Sequence, residues 1–89
     1  MGDDYAILTY TQHTLADPGL RNGVRYTPGR DGAPAQLQAQ RRNTAPGPCP
    51  TALVCDDARV HRLVDAGYLV LRGTRLTITL AGEAALARG

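Results

Sequence analysis

The sequence predicts a small α+β domain: a helix, a hairpin or second helix, a central helix, a second hairpin and a closing helix. Three observations in residues 56–88 carry this. First, Val60, Leu63 and Val64 recur at i, i+3 and i+4 behind Asp56 or Asp57 as a cap, and Gly67 supplies a left-handed stop. Second, strands over 68–72 and 75–80 flank Gly73-Thr74, a Gly-first pair suited to a type II′ turn. A two-residue loop pairs Arg72 with Arg75, Leu71 with Leu76, Val70 with Thr77 and Leu69 with Ile78. Leu69, Leu71, Leu76, Ile78 and Leu80 then share one face, so turn chemistry and apolar pattern agree. Third, Thr79 can cap a short helix over 80–88 with Glu83 in its first turn; Gly82 at the third position leaves no capping box.

From the N-terminus, Asp3 or Asp4 can cap a helix reaching about Ala16, where Asp17-Pro18-Gly19 ends it. Ile7, Leu8, Thr11 and Leu15 make a helical stripe, although residues 5–11 also have the β-branched and aromatic content of a strand. Val24-Arg-Tyr-Thr27 reads as a strand and residues 28–32 as a loop. Residues 35–40 alternate apolar and polar with period two. That alternation favours a hairpin over 20–42. A helix starting near Pro34 is the alternative, since Ala, Gln, Leu and Arg are helix formers, but it would bury little beyond Leu37. Residues 43–50, with three prolines and a glycine, read as a surface loop. Residues 51–55 either extend the central helix backwards or form a short strand.

The run Leu63-Val-Asp-Ala-Gly-Tyr-Leu69, a short hairpin, then Leu76-Thr-Ile-Thr-Leu-Ala-Gly-Glu-Ala-Ala-Leu86 resembles the second half of winged-helix DNA-binding regulators. The similarity covers residues 56–88, about a third of the chain. It implies a single winged-helix-like domain over 1–89, a helix at the N-terminus, residues 56–66 as recognition helix and the hairpin over 68–80 as wing. If residues 34–43 are helical, they stand where the second helix of a helix-turn-helix sits. The implied function is binding of double-stranded DNA, with a role in transcription regulation.

At 89 residues, without Phe or Trp, the chain can build only a small aliphatic core of eleven Leu, five Val, two Ile and four Tyr. A homodimer would add buried surface, with Ile7, Leu8, Leu15 and Leu86 as the residues expected to pack across a two-fold axis. All ten basic residues are Arg, which reads first as genome composition and only second as selection for phosphate binding. The net charge of +2 is segregated: residues 1–19 carry three Asp, 20–42 five Arg and one Asp, 43–57 two Asp, and 58–89 five Arg against Asp65 and Glu83. Such segregation suits a polyanion partner. No apolar run approaches the roughly 20 residues of a membrane span, and no signal-peptide pattern precedes Gly2-Asp3-Asp4. A cytoplasmic protein, with Cys49 and Cys55 as reduced thiols, is the expectation.

Helical geometry puts Ala58, Arg62 and Asp65 opposite the Val60/Leu63/Val64 stripe, with Arg59 and His61 on its flanks. Arginine at such positions can read guanine or grip phosphate, and a small Ala58 allows close approach to a groove. At the hairpin end Arg72 and Arg75 face each other beside Thr74, a like-charge pair with no local reward that a phosphate or the minor groove would supply. The expected DNA-binding set is therefore Ala58, Arg59, His61, Arg62, Arg72, Thr74 and Arg75. A solvated helix face is the plain alternative, and a winged-helix protein-interaction module with an acidic partner is the alternative function. Cys49, Cys55 and His61 are spaced Cys-x5-Cys-x5-His, which does not match common zinc sites, and His13 does not complete one. A disulfide between the two cysteines needs their Cα atoms within about 7 Å. No phosphate loop, paired-carboxylate spacing or nucleophile motif is present, so neither an enzyme nor a cofactor is expected.

Overall fold

Strand β1 (Leu20–Thr27) organises the domain, because the strands on both sides of it are hydrogen-bonded to it. In the computed structural model, which describes residues 2–42 and 50–88, α1 (Gly2–Ala16) precedes β1. After it come β2 (Ala35–Arg41), β3 (Leu53–Cys55), α2 (Asp57–Asp65), β4 (Leu69–Arg72), β5 (Arg75–Ile78) and α3 (Leu80–Arg88). The strands form one antiparallel sheet in the order β3-β2-β1-β5-β4. No helix among the described residues is long and apolar enough to cross a membrane.

The two hairpins follow their side-chain periods. In β2 the alternation of Ala35, Leu37 and Ala39 with glutamines becomes an alternation of buried with more exposed positions. A strand thus buries three apolar residues where a helix would have buried Leu37 alone, and propensity is overridden. The β1–β2 turn closes through Ala33 N–H donating to Arg30 O at 2.8 Å, with Asp31 and Gly32 both at positive φ, as a type I′ turn requires. In the second hairpin all four expected pairs are present, from Leu69 with Ile78 to Arg72 with Arg75. Residues 53–55 add a short edge strand to β2 rather than extending α2 backwards.

Ile7, Leu8, Val24, Tyr26, Leu37, Val60, Leu63, Leu69 and Leu76 belong to one buried cluster. All three helices therefore pack on a single face of the sheet, with α1 across β1 and β5, α2 on β4 and α3 on β5. This corrects the expected dimer surface: Ile7 and Leu8 are core residues, Leu86 packs against that core, and Leu15 alone of the four is exposed. A core this small needs α1's apolar face for itself. On α1, Thr14 takes the inward place expected of Leu15, because at 3.6 residues per turn it falls within about 20° of Ile7 and Leu15 about 80° away. Asp3 and Asp4 fall within the first turn of α1 rather than before it.

The helix ends further down the chain match their expected chemistry. Asp56 caps α2, its side chain accepting the Ala58 N–H at 3.1 Å. Gly67 N–H donates to Val64 O and Tyr68 N–H to Leu63 O, a Schellman closure with Gly67 at φ +85°. Thr79 caps α3, accepting the Gly82 N–H at 3.1 Å while donating to Gly67 O at 2.6 Å. Capping at Thr79 turns the chain out of the sheet, so Leu80, expected on the core face, is instead 84% exposed as the first residue of α3. Residues 43–49, and with them Cys49 and its suggested pairing, lie outside the described residues; Cys55 is a partly buried thiol.

Where α1 meets β1, the ladder with β2 shifts register between Leu20 and Val24. Gly23, at φ +83°, donates its N–H to the buried Thr14 hydroxyl at 2.9 Å. A Cβ on Gly23 would stand 2.6 Å from Thr77 Cγ2 and 2.9 Å from Leu76 O. Gly32 has the same backbone sign but nothing within 4 Å of such a Cβ. Gly32→Ala should therefore cost only the left-handed penalty of about 1 kcal/mol. Gly23→Ala should cost about 2–3 kcal/mol, because the β1–β5 pairing must also open. Urea denaturation of the two variants checks this; equal losses would contradict it.

Candidate nucleic-acid interface

Of the seven residues singled out in the sequence, the structure leaves some free and commits others to internal partners. Ala58, His61, Arg62 and Asp65 are exposed on the side of α2 away from the core, and Val60 and Leu63 on the opposite side are buried. Arg62 makes no side-chain ion pair among the described residues, whereas Arg59 meets Asp4 of α1 at 3.3 Å. That contact ties the N-terminal turns of two helices together. It leaves Asp56, Asp57 and Asp65 beside a single uncommitted arginine, so this side of the molecule is not a cationic surface.

His61 belongs to a cluster that sequence reading missed. The Tyr26 hydroxyl donates to Asp57 Oδ1 and lies 3.2 Å from His61 Nε2, and His61 Nε2 lies 3.3 Å from Asp57 Oδ2. Because Asp56 serves as the cap, Asp57 is free to turn its carboxylate to β1. The rings of Tyr26 and His61 meet edge to face with centroids 6.1 Å apart. Burial, and then the hydrogen bond to and charge of Asp57, hold the Tyr26 hydroxyl well above its ordinary pKa of 10.0. The cluster fixes α2 to the end of β1. Among the described residues no group of three His, Cys, Asp or Glu side chains is placed to hold a metal ion.

The hairpin tip is stitched down rather than free. Thr74 O accepts the Tyr26 N–H at 2.6 Å, so the tip runs alongside β1. Arg75 donates to Asn22 O at 2.7 Å and to Gln40 Oε1 at 3.1 Å, which supplies the local partners that its pairing with Arg72 lacks. Arg72 is exposed and makes no ion pair among the described residues. Arg25 of β1, not among the seven, stands directly across the ladder from Arg75. Its alternation with Val24 and Tyr26 marked it as outward-facing; its neighbour in β5 was invisible because those strands lie fifty residues apart. Comparison with family models, with curated proteins and with solved structures finds no match to this chain.

The Tyr26 cluster carries a pH prediction. The folded state favours the neutral hydroxyl, so its contribution is whole below about pH 10, where the unfolded tyrosine begins to ionise, and is lost as pH rises towards the folded value. Tyr26→Phe should cost about 1–2 kcal/mol at neutral pH, the range for a hydrogen bond to a charged acceptor with some solvent access. The gap between the two proteins should narrow at strongly alkaline pH. Urea unfolding of both at neutral and alkaline pH tests this, and a gap that stays constant would contradict it.

Proposed function

We propose that this domain binds double-stranded DNA in the manner the winged-helix resemblance implies, as a cytoplasmic homodimer acting in transcription regulation. The observation that carries the reading is the succession of an exposed helix face bearing Ala58, His61 and Arg62 and a hairpin bearing Arg72, Thr74 and Arg75. These sit on two consecutive elements, α2 and β4–β5, followed by the closing helix α3. Arg62 is the base-reading residue in this account, Ala58 lets the helix approach the groove, and Arg72 and Arg75 grip phosphate. Arg59 and His61 act by fixing the pose of α2 through Asp4 and Asp57. The domain departs from the resemblance where β2 and β3 occupy the stretch in which a helix-turn-helix has its second helix. Leu15, 44% exposed on α1, remains available to a dimer interface.

A second reading, a protein-interaction module, is favoured by one observation: Asp65 and Asp56 are exposed on the same helix as Arg62 and dilute its positive charge. Selection from random duplex DNA separates the two. DNA binding returns an enriched motif, as an inverted repeat if the protein is a dimer, and Arg62→Ala reduces discrimination against a scrambled site by about 1–3 kcal/mol. No enriched motif, beside a stable protein partner, favours the module.

A further inference from the structure

With the three helices on one face, no helix covers the other face of the five-stranded sheet among the described residues. Its outward positions are Val54 in β3, Gln36, Gln38 and Gln40 in β2, Arg25 and Thr27 in β1, Arg75 and Thr77 in β5, and Val70 and Arg72 in β4. They follow from strand alternation and from the buried partners on the inner face. No carboxylate occurs among them. Across the middle of this face the ladder aligns Arg72 with Arg75, Arg75 with Arg25, and Arg25 with Gln38. Three arginines thus stand in one row on adjacent strands, spanning about 10 Å at the usual strand spacing. Like charges directly opposite in a sheet are destabilising, and this row contains two such pairs in succession. None of the three makes an ion pair among the described residues. Arg75 alone has side-chain partners, both neutral, and its five-donor guanidinium keeps donors to spare while being held in a fixed pose.

We infer that this row docks the phosphate backbone of duplex DNA, with Arg25 as a phosphate contact in addition to those of the hairpin. The inference rests on the DNA-binding reading above and deepens it. Charge complementarity names a polyanion. The face carries no aromatic side chain on which unpaired bases would stack, which separates a duplex backbone from a single strand. Contacts of this kind are independent of sequence and set position rather than specificity. The row lies on the side of the sheet opposite α2: Arg25 points outward, while its neighbour Tyr26 turns inward and joins Asp57 of α2 through its hydroxyl.

The test measures binding of the unmutated chain, Arg25→Gln and Arg62→Ala to a duplex of arbitrary sequence and to a thymidine oligonucleotide of equal length, over a series of salt concentrations. Thermal melting of each variant accompanies it. Arg25→Gln should flatten the dependence of log affinity on log salt by about 0.9, so that its deficit shrinks about eightfold per tenfold rise in salt. Its melting temperature should stay equal or rise, because a like-charge neighbour has gone. Affinity lost with unchanged slope, or lost together with stability, makes Arg25 structural and overturns the inference. An unaltered Arg25→Gln beside a weakened Arg62→Ala overturns the inference and leaves the reading standing. Tighter binding of the single strand overturns the duplex as occupant. No binding of the unmutated chain to duplex at low salt overturns reading and inference together.

Discussion

The Gly23 N–H donating to the buried hydroxyl of Thr14 is the contact on which the arrangement of this domain depends. It joins α1 to β1 at the one residue of β1 without a side chain, where a Cβ would meet Thr77 and Leu76 of β5 and where the ladder with β2 shifts register. Thr14 is fully satisfied there, since its hydroxyl also donates to Thr11 O at 2.7 Å. Beyond the shift, Val24 and Tyr26 turn inward under Ile7 and Leu8, and Arg25 turns outward. The shift is of two residues, from Leu20 opposite Arg41 to Val24 opposite Ala39, so Leu20, Val24 and Tyr26 keep to the buried face across it.

A sheet covered on one side divides the work. Its inner face, with Leu20, Val24, Leu37, Leu69 and Leu76 almost wholly buried in one cluster with Ile7 of α1 and Val60 of α2, holds the domain together without Phe or Trp. Its outer face, which no helix covers among the described residues, carries arginine, glutamine and threonine with Val54 and Val70. The polar groups inside are satisfied: no buried side-chain nitrogen or oxygen among the described residues lacks a partner. Tyr26 and Asp57 fix α2 to the inner side of β1, opposite the face that carries Arg25.

Much of this was readable in the sequence wherever neighbours in space are neighbours in the chain. The second hairpin, its register, the Asp56 and Thr79 caps and the Gly67 stop all rest on residues within a few positions of one another. The period-two run at 35–40 favoured a strand on the same grounds. What could not be read depends on pairing between distant strands. That β5 lies beside β1 decides that Arg75 faces Arg25, that Asn22 and Gln40 become partners of Arg75, and that the hairpin tip is tied down at Thr74. Likewise the commitments of Arg59 to Asp4 and of His61 to Tyr26 join residues 55 and 35 positions apart. Periodicity gave those side chains a face on the helix but no partner.

The most direct test of the account is an amide chemical-shift titration of the labelled protein with a duplex at low salt. Shifts concentrated at Ala58–Arg62, at Arg72–Arg75 and at Arg25, with α1 and α3 little changed, are the result the account predicts. Shifts confined to α1 and α3, or none on addition of excess duplex, would contradict it.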